Sequence, residues 1–214
     1  MRDTAYVSAA DDLALHGVRV LGFPTASRVA GRYGLPPDTV REALLDFEAR
    51  GWARHLSFAG SSGWSLTDAG RAEDERRLAA ELDRAGGRDT VTRAHAAFLP
   101  LNRRFGAACT DWQIRPAHLD PMAFNDHADW GWDERVLRTL ASVATSFRFL
   151  CAQLTDSLAR FGGYADRYSS ALGRVDQGDR AWVDAPDRDS CHILWIQFHE
   201  DLLATLGIPR GSDA

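Results

Sequence analysis

The chain has 214 residues and a mass of 23.6 kDa, of which 45% are hydrophobic and 26% charged. This composition is typical of soluble globular proteins and argues against disordered, collagen-like and coiled-coil classes. No stretch approaches about 18 consecutive apolar residues, and the first 30 residues lack a basic start followed by an apolar run. We therefore expect a cytoplasmic protein with neither a signal peptide nor a membrane partner.

The charge distribution permits a nucleic-acid partner without indicating one. The net charge is −5, and every one of the 25 basic residues is arginine. Residues 16–71, however, contain seven arginines and five acidic residues, a local excess of +2. Because salt screens charges beyond about 8 to 10 Å, a phosphate responds to this local field rather than to the whole-chain sum.

The three cysteines predict neither a disulfide framework nor a zinc site. Cys109, Cys151 and Cys191 are odd in number, widely spaced and not arranged as C-x-x-C. We expect them to be buried, reduced thiols.

Two helices joined by a glycine turn are predicted after a short first helix at residues 13–21. The second helix spans residues 26–33, with Thr25 as its N-cap and Gly34 at the positive φ of the turn. The third follows Pro36-Pro37, since a proline at the first helical position removes no intrahelical hydrogen bond. Its apolar residues recur on one face and should be buried: Val40, Ala43, Leu44 and Phe47.

A β-hairpin is predicted next. Residues 52–58 alternate as in a strand, residues 59–63 form a loop, and residues 64–67 form a second strand. Thr67 then begins a charged helix that ends near Ala85. Because the paired glycines 86 and 87 stop helices, we place a domain boundary there, between residues 1–86 and 87–214.

The order of these elements is that of a winged helix-turn-helix. Residues 25–52, TASRVAGRYGLPPDTVREALLDFEARGW, resemble the helix-turn-helix core of bacterial MarR-type regulators, and residues 64–71, WSLTDAGR, resemble their exit from the wing. The resemblance covers residues 13–84. It implies an N-terminal winged helix-turn-helix that carries a small β-hairpin wing. Together with the α-helical bundle predicted below for the C-terminal half, this gives a mainly α fold. The resemblance also implies a homodimeric transcriptional regulator that binds double-stranded DNA.

By the same resemblance, the third helix lies in the major groove. Its contacts to base edges or phosphates would come from Asp38, Thr39, Arg41 and Glu42, the backbone contacts from Ser27 and Arg28, and the wing contacts from Arg54, Ser61 and Ser62. The carboxylates of Asp38 and Glu42 repel phosphate groups, unless they face base edges and accept hydrogen bonds from cytosine amino groups. A winged helix that serves as a protein-interaction or packing module remains an alternative.

The second half is predicted to be a bundle of helices at residues 92–109, 134–161, 164–175 and 189–206. Residues 111–133 form a long loop between two of them, rich in Trp, His and Asp, and loops of this length are often functional. We expect a pocket for a small-molecule effector, with these candidate ligand-binding residues: Trp112, Asp126, His127, Trp130, His192, Trp195 and His199.

Other interpretations of this half remain open. His192 and His199 lie seven residues apart, within roughly 20° of one helix face, so that with His127 they could bind a metal in a metal- or ligand-dependent enzyme. Packing with dimerisation is the simpler alternative. Because no catalytic motif is present, we predict no catalytic residues, no metal and no cofactor. The charged residues of the last helix region are expected at the surface or as caps: Asp187, Asp189, Glu200 and Asp201.

Overall fold

The computed structural model describes residues 4–58 and 60–212, which are mainly helical with one two-stranded antiparallel sheet. This confirms the mainly α class. Within these residues, no helix is long and apolar enough to cross a membrane. The elements in chain order are α1 (Ala10–Leu21), α2 (Ala26–Tyr33), α3 (Pro37–Ala49), β1 (Ala53–Phe58), β2 (Ser61–Leu66), α4 (Asp68–Arg84), α5 (Arg88–Gln113), α6 (Trp130–Ser157), α7 (Tyr164–Asp176) and α8 (Cys191–Leu206), with short 3-10 helices at Ala159–Phe161 and Arg180–Trp182.

The chain divides into two compact units. The first comprises Met1–Val91, Thr155–Arg160 and Gln197–Ala214, and the second comprises Thr92–Leu154 and Phe161–Ile196; residues 1–3, 59, 213 and 214 lie outside the described part. This division differs from a single boundary between residues 86 and 87. The difference arises because α5, α6 and α8 each contribute residues to both units.

Local sequence signals set the ends of α2 and α3 as predicted. The Thr25 hydroxyl accepts a hydrogen bond of 3.2 Å from the Arg28 N–H at the start of α2. Gly34 ends that helix in the left-handed conformation at φ 65°. Pro37 occupies the first position of α3, where its missing N–H costs no helical bond.

The core of the first unit lies beneath α3. This helix packs against α1 and α2, and β1 packs against α3. Leu44, on its inner face, is fully buried, which stabilises the fold by about 2 kcal/mol. The predicted inner face is confirmed, and the cluster contains Ala14, Leu15, Val18, Val29, Ala30, Val40, Ala43, Leu44, Phe47, Ala53 and Trp64.

The hairpin is tighter than predicted. Phe58 lies opposite Ser61, so β2 already begins at Ser61, and Gly60 before it has a φ of 80°. The predicted loop at 59–63 is therefore wrong for residues 61–63, while Ala59 lies outside the described residues. The Gly-Ser composition is typical of a loop, but backbone pairing with β1 makes it a strand.

Strand β2 also lies close to the segment before α2. The Trp64 N–H donates to the Pro24 carbonyl at 2.9 Å. A Cβ on Gly63 would lie 2.6 Å from the Phe23 carbonyl oxygen, so this position requires glycine.

The two long helices α5 and α6 differ from their predicted bounds. Helix α5 runs to Gln113 and α6 begins at Trp130, so the loop predicted at 111–133 is wrong at both ends. One reason is a hydrogen bond of 2.6 Å that the Trp132 indole N–H donates to the Asp111 carbonyl. At its other end, α6 stops at Ser157 instead of the predicted residue 161, and a 3-10 helix follows it.

Aromatic rings fill the interior of the second unit. Trp195 stacks on Phe105 with ring centroids 4.2 Å apart, and its indole N–H donates to the Asn102 side chain at 2.8 Å. Phe147 lies 5.0 Å from Trp195, and the Tyr168 hydroxyl donates to the Leu140 carbonyl at 3.0 Å. Satisfied indole and phenol groups of this kind can be buried without loss of hydrogen bonds.

All three cysteines are buried, reduced thiols, as predicted. Burial raises the pKa of the Cys109 and Cys191 thiols to about 12. These groups are therefore neutral thiols at physiological pH.

Candidate functional site

The outward face of α3 is the first candidate site. Asp38, Arg41 and Glu42 are exposed in its first turns, and Thr39 is half-buried. Arg41 pairs with Asp38 at 3.1 Å, and both side chains are well solvated. Since an exposed pair of this kind contributes at most about 1 kcal/mol, the guanidinium can exchange its partner for another anion at little cost.

The remaining predicted contact residues also lie at the surface of the first unit. Ser27 and Arg28 are exposed in the first turn of α2, Arg54 is exposed on β1, and Ser61 and Ser62 are exposed at the start of β2. None of these side chains contributes to the core cluster. All five are accessible to a partner.

The outward face of α3 is acidic overall. Besides Asp38 and Glu42 it exposes Asp46 and Glu48, against the two arginines of the helix and its cap. The Glu48 carboxylate accepts a hydrogen bond of 3.1 Å from the His55 backbone N–H. Attraction of a phosphate backbone would therefore depend on arginines outside this helix.

An apolar strip on the hairpin was not predicted. Arg54, Leu56 and Phe58 alternate onto one face of β1, where Leu56 is 47% and Phe58 82% exposed. Phe23, 41% exposed, lies against Gly63 on β2. In the sequence, the alternation of residues 54–58 between the two faces of a strand could have indicated this strip. Clustered exposed apolar side chains commonly mark a contact surface.

The second candidate site is a polar cluster in the second unit, centred on Asp133. Trp112 is buried, and its ring centroid lies 4.4 Å from that of His127. The Asn125 amide donates to the Trp112 carbonyl at 3.0 Å and to the Asp133 carboxylate at 2.9 Å. The α5–α6 loop is thereby attached to both helices that flank it.

His127 contacts the Asp133 carboxylate through one ring nitrogen. Its Nδ1 lies 3.1 Å from both oxygens of Asp133. Because an ionised carboxylate can only accept hydrogen bonds, Nδ1 is the donor in this contact. The backbone is held at φ 57° while the Asn125 side-chain oxygen accepts the His127 N–H at 3.1 Å. Such a conformation is uncommon outside glycine and often accompanies a functional site.

Asp133 is an ionised carboxylate in spite of its burial. Burial alone raises its pKa, but hydrogen bonds from Asn125, His127 and Arg180 outweigh this and hold the pKa below its usual range. The Arg180 guanidinium also lies 4.7 Å from the centre of the Trp130 ring, which is 74% exposed. The structure thus brings His127 and Trp130 together through two residues, Asp133 and Arg180.

The other predicted ligand residues lie elsewhere. Asp126 is exposed, and its carboxylate accepts the Ala128 N–H at 3.1 Å. Trp195 belongs to the aromatic interior, and His192 lies half-buried with its ring 6.4 Å from Phe105, where desolvation lowers its pKa. His199 is half-buried and belongs to the first unit.

Sequence analysis did not assign Asn125, Asp133 or Arg180 to the cluster. The first two lie within the segment that drew attention for its Trp, His and Asp content. Arg180 follows 47 residues after Asp133, and no spacing signal connects the two.

A metal site is not formed by the described residues. Across 4–58 and 60–212, no group of three or more His, Cys, Asp or Glu side chains could hold a metal ion.

A buried charge cluster in the first unit was also missed. The two ring nitrogens of His16 lie 3.3 Å from Asp74 and 3.1 Å from Asp201. Arg160 donates to Glu81 at 2.7 Å and also to Asp201. Burial alone lowers the pKa of His16, but the carboxylates of Asp74 and Asp201 outweigh it and raise the pKa to about 9.

Asp201 was expected at the surface or as a cap, and this is wrong, since it is fully buried. Its partners His16 and Arg160 lie 185 and 41 residues away along the chain. The cluster connects α1, α4 and α8 within the first unit and has a structural role.

Comparison of the chain with protein-family models, curated proteins and solved structures gives no match.

Proposed function

We propose that this chain is a DNA-binding transcriptional regulator whose first unit is a winged helix-turn-helix. The observation that carries the proposal is the arrangement of α2, the left-handed turn at Gly34, and α3 with the outer side of its first turns exposed. The β1–β2 hairpin follows α3 in chain order, as a wing would. Each of these features suits a helix that is presented to a duplex.

In this proposal α3 enters the major groove, which is about 12 Å wide and admits one α-helix. Arg41 exchanges the Asp38 carboxylate for a guanine edge or a phosphate, and Glu42 accepts a hydrogen bond from a cytosine amino group. Arg28 and Arg54 contact phosphates on either side. The acidic α3 thus serves base selection, while arginines outside it supply most of the affinity.

The proposed regulator acts as a homodimer that responds to a small molecule. Two copies of α3 separated by about 34 Å would meet successive major grooves on one side of the duplex. The cluster around Asp133, with the exposed Trp130 and the partly exposed side chain of His127, is the proposed effector site. An effector changes DNA affinity only if it binds one arrangement of the dimer more tightly than the other.

Fluorescence anisotropy with a duplex from the promoter of the chain's own operon tests this proposal. We expect Arg54→Gln to weaken binding to all duplexes alike, because it removes a phosphate contact, and Glu42→Gln to alter the sequence preference. Arg148→Gln is the matched control, since Arg148 is an exposed arginine of the second unit. Absence of binding to any duplex, or equal effects of Arg54→Gln and Arg148→Gln, would contradict the proposal.

A protein-interaction module is the second candidate function. It is favoured by the acidic outward face of α3 and by the exposed apolar side chains Phe23, Leu56 and Phe58. Affinity purification after nuclease treatment, with Phe58→Ser as the control bait, separates the two functions. A partner retained without DNA and lost with Phe58→Ser favours the module, and loss of all partners on nuclease treatment favours the regulator.

A further inference from the structure

A groove between α5 and α6 in the second unit has the dimensions of a ligand site. Its volume is about 370 Å³, and its walls include Arg104 and Asp111 from α5 and Arg135 and Val136 from α6. Small-molecule sites in proteins commonly occupy about 300 to 1,000 Å³. All of its lining residues belong to the second unit, and none is among the residues of the Asp133 cluster.

Two guanidinium groups at this groove lack a carboxylate partner. Arg104 donates to the Ser142 hydroxyl at 2.9 Å, and Arg135 donates to the Gly131 carbonyl at 3.1 Å. Within the described part of the chain, neither forms a salt bridge. Both bond only to neutral oxygens, so each has donors left for an anion.

The charges and the apolar side chains of the walls indicate which ligand the groove would accept. Asp111 is the one acidic residue among its walls, so the walls carry two positive charges and one negative charge. The face of the Trp132 ring is covered by the Arg135 guanidinium, 5.0 Å from the ring centre. The aliphatic side chains among its walls are Ala107, Ala108 and Val136.

We propose that this groove binds a small, singly charged organic oxyanion with a short aliphatic body. Arg104 and Arg135 hold the oxyanion, and the alanine and valine side chains contact the body. Asp111 disfavours dianions by repulsion. The inference does not depend on DNA binding, because the groove lies in the second unit and its test uses the chain alone.

Hexanoate is the probe, and the indole N–H signal of Trp132 in ¹⁵N-edited NMR is the readout. This N–H is bonded to the Asp111 carbonyl at the groove, so a bound ligand shifts its resonance, which Trp132→Phe identifies. We expect saturable binding with a Kd near or below about 1 mM. Hexanamide, which has the same body without the charge, should bind at least about tenfold more weakly.

Three variants test the assigned roles of the side chains. Arg104→Gln and Arg135→Gln should each weaken hexanoate binding by about tenfold, the usual effect of losing one charge-assisted hydrogen bond. Asp111→Asn should strengthen it, because repulsion is removed. Arg103→Gln is the matched control, since Arg103 is an exposed neighbour on α5 that does not line the groove.

A parallel titration with hexyl phosphate and inorganic phosphate distinguishes the two oxyanion classes. Hexyl phosphate is largely dianionic at neutral pH, so tighter binding of hexanoate, lost in the arginine variants, supports the proposal. Tighter binding of hexyl phosphate would contradict the singly charged ligand. The proposal is overturned if no oxyanion saturates the Trp132 shift at about 10 mM. It is also overturned if hexanamide binds as tightly as hexanoate, or if Arg103→Gln weakens binding as much as Arg104→Gln.

Discussion

Raising the pH from about 6 to about 8 is expected to destabilise the chain, because His16 keeps its proton in the folded state and loses it in the unfolded state. The folded pKa is about 9, against 6.5 for the unperturbed side chain. Below pH 6.5 both states bind the proton, and the contribution of His16 to stability is fully present. As the pH rises through 9 the folded state releases its proton as well, and the contribution is lost.

The size of this effect follows from the two pKa values. Each pH unit between them lowers the free energy of unfolding by about 1.4 kcal/mol. The loss is therefore about 2 kcal/mol by pH 8 and about 3 kcal/mol once the pH has passed 9. His16 is fully buried between Asp74 and Asp201, so solvent does little to screen the interaction.

Urea unfolding at both pH values measures the effect. The other titrating groups are shared by all variants. The informative quantity is therefore the change in the free energy of unfolding between the two pH values in wild type, minus the same change in His16→Gln. We expect this difference to be about 2 kcal/mol. The control variant His118→Gln alters an exposed histidine and should show the same pH dependence of unfolding as wild type. Equal pH dependence in wild type and His16→Gln would refute the assignment of a buried, protonated His16.

Two further predictions concern backbone and thiols. Gly70→Ala should lower the free energy of unfolding by a few kcal/mol, because its Cβ would lie 1.9 Å from the Trp52 carbonyl oxygen. Gly106→Ala has open space around it and should raise the free energy of unfolding by up to about 1 kcal/mol. Thermal melts of both variants check these opposite signs, and a change of the same sign in both would contradict the packing at Gly70. Cys109 and Cys191, whose pKa values are about 12, should resist iodoacetamide at pH 8 in the folded chain and react once urea unfolds it. Mass spectrometry measures the labelling, and rapid labelling of the folded chain would contradict the burial of these thiols.

The first unit was largely predictable because its signals are local. Thr25, Gly34 and Pro37 each act on a backbone within a few residues of themselves, and the inner face of α3 follows from three- and four-residue spacing alone. The hairpin turn was misplaced because strand pairing depends on a partner strand, which the Gly-Ser composition of residues 61–63 does not reveal.

The polar clusters could be predicted only in part, because their residues are distant in sequence. His127 and Trp130 were recognised from a segment rich in Trp and His, but Arg180 comes from a later 3-10 helix. Asp201 has the sequence context of a surface carboxylate, and its burial depends on His16 at the other end of the chain. Pairings of this kind become visible only in the folded structure.

The salt dependence of DNA affinity tests the central claim most directly. If Arg28, Arg41 and Arg54 each neutralise one phosphate in both protomers of a dimer, the slope of log K against log salt concentration should be about −5. Replacing Arg41 and Arg54 together by glutamine should reduce that slope to about −2, while Arg148→Gln leaves it unchanged. Binding that does not depend on salt, or a slope that the double variant leaves unaltered, would contradict the claim that this surface binds a duplex.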